Sequence, residues 1–211
     1  MTVLYLDTTS SFLYAGIVKD DKLLIKQKKE LGKDLSTYTL DTIKNLIEKS
    51  NLTPKDINKI IVVNGPGSFT GIRIGVTIAK TLAWSLNIDI TTISSLDAMS
   101  ISTDDNKYKV PVIDARRDSS YFGIYDEFNN IVMENKYASN NYINDCINKL
   151  NKDYVIISNE TTIDNKNIIS YSPNILKIVN KYKDKECINP HAVNPIYLKL
   201  TEAEEKKNAT N

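Results

Sequence analysis

The order of apolar and polar positions predicts most of the elements of this chain. Val3-Leu4-Tyr5-Leu6-Asp7 is an apolar run closed by a carboxylate, the pattern of a buried strand, and Thr8-Thr9-Ser10-Ser11 behind it is a polar turn. Phe12 to Val18 and Leu23 to Gln27 predict two strands joined as a hairpin at Asp20-Asp21. Leu35, Tyr38, Thr42 and Leu46, with Ile43 and Ile47, keep helical spacing. They predict a helix capped by Asp34 or Ser36 and running to about Lys49. Thr53-Pro54-Lys55-Asp56 is a short helix start, with proline at the first helical position. The β-branched run Ile60-Ile61-Val62-Val63 predicts a second buried strand. A glycine-rich turn, Gly65 to Gly71, and a long apolar helix from about Phe69 to Leu86 follow it. Ile88 to Ile93 is a strand and Ser95 to Ser102 a short helix, so the first half reads β-β-β-α-β-α-β-α.

Thr103-Asp104-Asp105-Asn106-Lys107 is polar and predicts a linker. It divides an N-terminal lobe, residues 1–103, from a C-terminal lobe, residues 104–211, whose last residues return to the first lobe. Beyond it, Val110 to Asp114, Tyr121 to Tyr125, Ile131 to Met133 and Tyr154 to Ile157 predict strands. Asn140 to Leu150 and Asn174 to Tyr182 predict helices, and a helical, then frayed, charged tail follows Lys199.

A strand, a glycine turn and a helix in succession present free backbone N–H groups to an anion. Neither standard phosphate template fits, however. The P-loop needs Lys and Ser/Thr after its last glycine, where Ile72 and Arg73 stand, and the dinucleotide fingerprint needs glycine at Thr70. Asp7, Thr8, Gly65, Gly67 and Ser68 remain candidates for nucleotide or anion binding. In the alternative reading Gly65 and Gly67 only supply unusual backbone angles, and Asp7 only caps its turn. In the long helix Gly71, Gly75, Ala79 and Ala83 recur every fourth residue. Glycine inside a helix costs roughly 1 kcal/mol against alanine, so something packed closely on that row must offset it. Either the row packs within the chain, or the helix is shared between the sheet and a partner protein. Arg73, Thr77, Lys80 and Trp84 form a separate narrow stripe.

Composition narrows the choice. The chain has 211 residues, 41% hydrophobic and 25% charged, with a net charge of +1. That balance lacks the basic excess of an independent nucleic-acid binder. Lysine greatly outnumbers arginine, which fits AT-rich coding. Cys146 and Cys187 are far apart with no CxxC, which fits a reducing compartment and inert thiols. The opening residues do not form a signal peptide and no stretch is a membrane span, so the expectation is a cytoplasmic protein. His191 is the only histidine, which excludes a two-histidine metal site, and no GxSxG elbow accompanies it. Asp114 with Arg116 predicts either an ion pair at the lobe interface or a substrate clamp.

At GPGSFTGIRIG (Gly65 to Gly75) the chain resembles the TsaB (YeaZ) family of tRNA threonylcarbamoyladenosine synthesis. So do LDTTS (Leu6 to Ser10), SSLDA (Ser94 to Ala98), DAR (Asp114 to Arg116) and PIYLK (Pro195 to Lys199). The chain departs from the family in having Leu35-Ser36 where His-Ser is common. The resemblance implies a two-lobed α/β fold like that of actin, hexokinase and Hsp70, with mixed sheets flanked by helices. It implies a non-catalytic scaffold or activator that binds the paralogue TsaD, which transfers threonylcarbamoyl to the tRNA adenosine next to the anticodon. An ATPase, TsaE, joins the complex, and tRNA is reached only through it. The helix after the glycine motif and the one before it build the partner surface. Gly71, Arg73, Gly75, Ala79, Ala83, Tyr38, Thr42 and Leu46 are its expected residues. Without TsaD a homodimer is expected. No cofactor of its own and no metal are expected, with ATP at the partner interface. The alternative function is a small ATP-dependent phosphotransferase of the same fold, using Asp7 and the glycine turn.

Overall fold

A computed structural model describes residues 1–160, 163 and 167–199. The first lobe holds β1 (Thr2–Asp7), β2 (Phe12–Lys19), β3 (Lys22–Glu30), helix α1 (Leu35–Lys49), β4 (Lys59–Val63), helix α2 (Phe69–Leu86), β5 (Asp89–Ile93) and helix α3 (Ser95–Ser102). Its sheet has the order β3-β2-β1-β4-β5. The β1, β2 and β3 strands pair antiparallel, while β1, β4 and β5 run parallel. Every residue of β1 and β4 is buried. Helices cover both faces of these central strands, so their sequences are apolar without alternation.

Side-chain parity sends each strand to two cores. Leu4, Leu6, Leu13, Ile60 and Val62 pack on one face against Ile43 and Leu46 of α1 and Ile72, Val76, Ala79 and Ala83 of α2. Val3, Tyr5, Tyr14, Ile61 and Val63 pack on the other against Ala98 and Ile101 of α3. Ile175, Ile178, Val179 and Tyr182 join this second cluster although they come late in the chain.

The second lobe contains β6 (Tyr108–Asp114), β7 (Ser119–Tyr125), β8 (Ile131–Ser139), helix α4 (Asn140–Asn148), β9 (Tyr154–Ile157) and β10 (Ile168–Ile169), and helix α5 (Ile175–Tyr182) follows it in the chain but packs on the first lobe's sheet. The sheet order is β10-β9-β6-β7-β8, and Ile143 and Ile147 of α4 cover it. The first-lobe order follows the apolar pattern closely. In the second lobe β8 continues six residues beyond the predicted Met133, through the polar run Glu134-Asn135-Lys136, and β10 is an added strand. The charged tail beyond Lys199 lies outside the described residues.

Polar bonds fasten the elements between the lobes. The Lys59 ammonium, on β4 and 2% exposed, donates to the carbonyls of Lys183 (2.8 Å) and Lys185 (2.7 Å) just past α5. A cation at a helix C-terminus is favoured by the helix dipole. Asp97 of α3 accepts from Tyr125 of β7, from Tyr182 of α5 (3.3 Å) and from Asn135 of β8 (3.2 Å). Beyond α5, residues 188–197 run as a strap over the first lobe. Ile188 N–H donates to Ile90 (2.9 Å), Lys80 to the carbonyls of His191 and Val193, and Ile196 N–H to Asn64 (2.8 Å). Val193 is buried in the α1–α2 core.

Candidate functional site

The turns after β1, β4 and β6 meet at a cleft of about 730 Å³ between the lobes. Asp7, Ser10, Lys33, Ser68, Arg116 and Tyr171 are among its lining residues. Asp7 ends β1 at 2% exposure and is already occupied. It accepts from the Thr9 N–H (2.9 Å), the Thr9 hydroxyl (2.7 Å) and, more loosely, the Tyr5 hydroxyl (3.4 Å). Burial raises its pKa, and the two Thr9 bonds and the Tyr5 bond pull back the other way. Burial, with the charge of Asp7 second, pushes the Tyr14 hydroxyl up to about 12 and also raises that of Tyr171.

The glycine turn lies against the turn after β1. Ser68 N–H donates to the Thr9 carbonyl (2.7 Å), and the Ser68 hydroxyl caps α2 by accepting from Gly71 N–H (3.3 Å). The Thr8 hydroxyl donates to the Gly71 carbonyl (2.7 Å). A methyl added at Gly67 would land on the Thr9 carbonyl, and one at Gly65 would stand 2.6 Å from the Ile196 carbonyl. Asp7, Gly67 and Ser68 therefore line the cleft while Thr8 and Gly65 do not, and the polar groups of Asp7, Thr8 and Ser68 are taken by Thr9 and Gly71. A carbonyl oxygen, which repels anions, fills the place above Gly67 where a phosphate cradle would open.

The small row of α2 needs a correction. Gly71 and Gly75 sit on Thr8, where a methyl at either would strike its carbonyl or hydroxyl, and Ala79 and Ala83 are fully buried in the lobe's own core. Gly71 and Gly75 thus pack on the turn after β1, and Ala79 and Ala83 in the lobe's own core, because the row is the face of α2 turned toward the sheet. Thr42 and Leu46 of α1 are buried too and leave the surface for the same reason. Of the expected partner residues, Tyr38 and Arg73 are exposed.

The outer face of α2 carries other side chains. Phe69 is 49% exposed and Trp84 64%. The strap adds to it, since the Phe69 and Tyr197 rings stand 5.1 Å apart and the Trp84 and His191 rings 6.1 Å. Sequence reading misses this pairing because Arg73 and Tyr197 are 124 positions apart, although both lie in quoted motifs. Asp114 meets Arg116 through the Arg116 backbone N–H (3.0 Å), so the bond is a turn bond and not the expected ion pair. Partial burial, then Asp89, raises the Cys187 thiol, opposite to the direction of an activated thiolate. No cluster of three metal-ligating side chains occurs among the described residues, and no described helix is long and apolar enough to cross a membrane.

Comparison with known proteins places these features. Residues 29–204 match the family described as TsaD: tRNA N6-adenosine threonylcarbamoyltransferase. The chain is 30% identical to the tRNA threonylcarbamoyladenosine biosynthesis protein TsaB of Bacillus subtilis (strain 168), over 98% of this chain and 97% of that one. It is 27% identical to the protein of the same name from Haemophilus influenzae, over 94% of each. Two solved Pseudomonas aeruginosa structures share its fold. One is described as uncharacterised with similarity to peptidase YeaZ (TM-score 0.82, 17% identity, 94% of this chain and 99% of that one). The other is YeaZ (TM-score 0.77, 16% identity, 93% and 100%). The fold is thus the two-lobed α/β arrangement with mixed sheets flanked by helices that the sequence leads one to expect, and it is the fold of these YeaZ structures.

Proposed function

The chain belongs to the TsaB (YeaZ) family of tRNA threonylcarbamoyladenosine biosynthesis proteins, and we propose that it serves that synthesis as the non-catalytic subunit that docks on a TsaD-type threonylcarbamoyltransferase. The outer surface of α1 and α2 carries this reading. Leu40 (53% exposed), Tyr38, Phe69 and Trp84 stand out from it. An apolar groove of about 500 Å³, lined by Leu40, Ile43, Ile47, Leu52, Leu82 and Leu86, runs between the helices and is edged by Lys44 and Glu48. Apolar surface rimmed by charge is the pattern of a protein–protein contact. The filled glycine turn speaks against a phosphotransferase. In this reading the transferase supplies the chemistry and a TsaE-type ATPase joins the assembly. Any ATP sits at the joint interface, and tRNA is reached through the complex. A second copy covers the same surface when the partner is absent, and the setting is the cytoplasm.

Sedimentation of the purified chain with its TsaD-type partner tests this. A complex from the wild type, lost in a Leu40→Glu/Trp84→Glu variant with unchanged circular dichroism, is the expected result. A complex of undiminished affinity from the variant would move the interface elsewhere, and no complex from the wild type would sink the reading.

A further inference from the structure

Arg73 is one of only three arginines among 27 basic residues in this chain. It is exposed on the first turns of α2, and its side chain is held in a fixed pose. Its guanidinium carbon lies 3.7 Å from the centre of the Phe69 ring, one helical turn earlier. The Tyr197 ring of the strap flanks it at 5.8 Å, and the Arg73 Nε–H donates to the Tyr197 hydroxyl (2.8 Å). Both rings are themselves about half exposed. No carboxylate pairs with Arg73 among the described residues.

A guanidinium has five N–H donors in a planar fork. Stacking on Phe69 sets the plane of this one, and the Nε bond to Tyr197 fixes its rotation. The four Nη donors are thus left for another group. An unclamped surface side chain would have to lose rotamer freedom on binding, and here the fold has already removed much of it. Lysine cannot take this role, because its ammonium is a point charge with no plane to stack or fork to aim. Arginine and tyrosine together are also the residue types that dominate interface energetics.

We propose that Arg73 is a preset fork that receives a carboxylate of the docked subunit, and that Tyr197 of the strap is part of the docking surface. The proposal rests on the partner reading above and names the chemistry by which that surface recognises its partner. The partner face apposed to the start of α2 then carries an Asp or Glu side chain. The binding surface is composite, drawn from α2 and from a segment more than a hundred residues later.

Titration calorimetry of the full-length chain with its TsaD-type partner, at two salt concentrations, tests it. Arg73→Lys keeps the charge and loses the fork, and affinity should fall about tenfold. Arg73→Ala should lower it about 30-fold and flatten the salt dependence. Tyr197→Phe, which keeps the ring and frees Nε, should cost a smaller part of the same loss. Acid-to-amide changes across the partner's interface should then reveal one carboxylate whose removal costs nothing further in the Arg73→Ala background. Affinity of Arg73→Lys within about twofold of wild type, or a scan with no such carboxylate, overturns the proposal. No complex from the wild type sinks both readings, whereas an intact complex from Arg73→Lys sinks only this one.

Discussion

Burial raises the proton affinity of Asp7, and the Thr9 and Tyr5 bonds only partly restore its acidity. The consequence for stability has a definite sign. At low pH the carboxyl is protonated in both the folded and unfolded chain, and burial carries no charge penalty. As the pH rises, the unfolded chain releases this proton first, so the folded state loses stability across the interval up to the raised pKa. Asp7→Asn keeps an acceptor for Thr9 and removes the titration. Its stability relative to wild type should therefore rise as the pH is raised through and above the ordinary carboxylate range, read as urea midpoints at each pH. A constant difference across that range would mean that Asp7 ionises as freely in the folded chain as in the unfolded one. The residue types at this site were legible in the sequence. That Thr9 and Gly71 already satisfy their polar groups was not, because a pattern along the chain does not say which oxygen points at which amide.

At the scale of elements, periodicity was a sound guide to spans and a poor one to neighbours. The α3 helix occupies the expected Ser95–Ser102, and α1 and α2 end where the apolar spacing ends. The β8 strand outran its prediction because it is an edge strand, where polar residues are tolerated, and bulges in its pairing with β7 disturb the alternation. The every-fourth row of α2 correctly announced a close approach and left its partner unnamed. For the two glycines that partner is Thr8, a polar turn residue with no apolar signal. Gly71→Ala should destabilise the fold by about 2 kcal/mol. The roughly 1 kcal/mol that alanine gains as a helix former is outweighed by its collision with a backbone carbonyl that cannot step aside. A variant as stable as wild type in urea would show that α2 can lift from β1 at little cost. Ala79→Arg, at a fully buried position of the same row, should disrupt the core in turn.

Across the whole molecule, Asp97 binds groups from three elements that converge on α3. Removing it leaves the Tyr182 hydroxyl and the Asn135 amide N–H short of an acceptor, while the Tyr125 hydroxyl keeps only the Asn135 amide oxygen. Asp97→Ala should therefore cost about 3 kcal/mol in urea unfolding and speed amide exchange in β7, β8 and α5 ahead of the central strands. Exchange that quickens evenly through the chain would argue against a local fastening. The strap carries a consequence of a different kind. Val193 fills a place in the core of the first lobe, and α5 covers the sheet's opposite face. While the chain is being made, then, the first hundred residues leave the ribosome with both places open. They can close only when residues 175–193 have been added. A protein cut short anywhere between the first lobe and α5 lacks the pieces that finish its first lobe, so the cell's proteases would see truncation as exposed core at the other end of the chain.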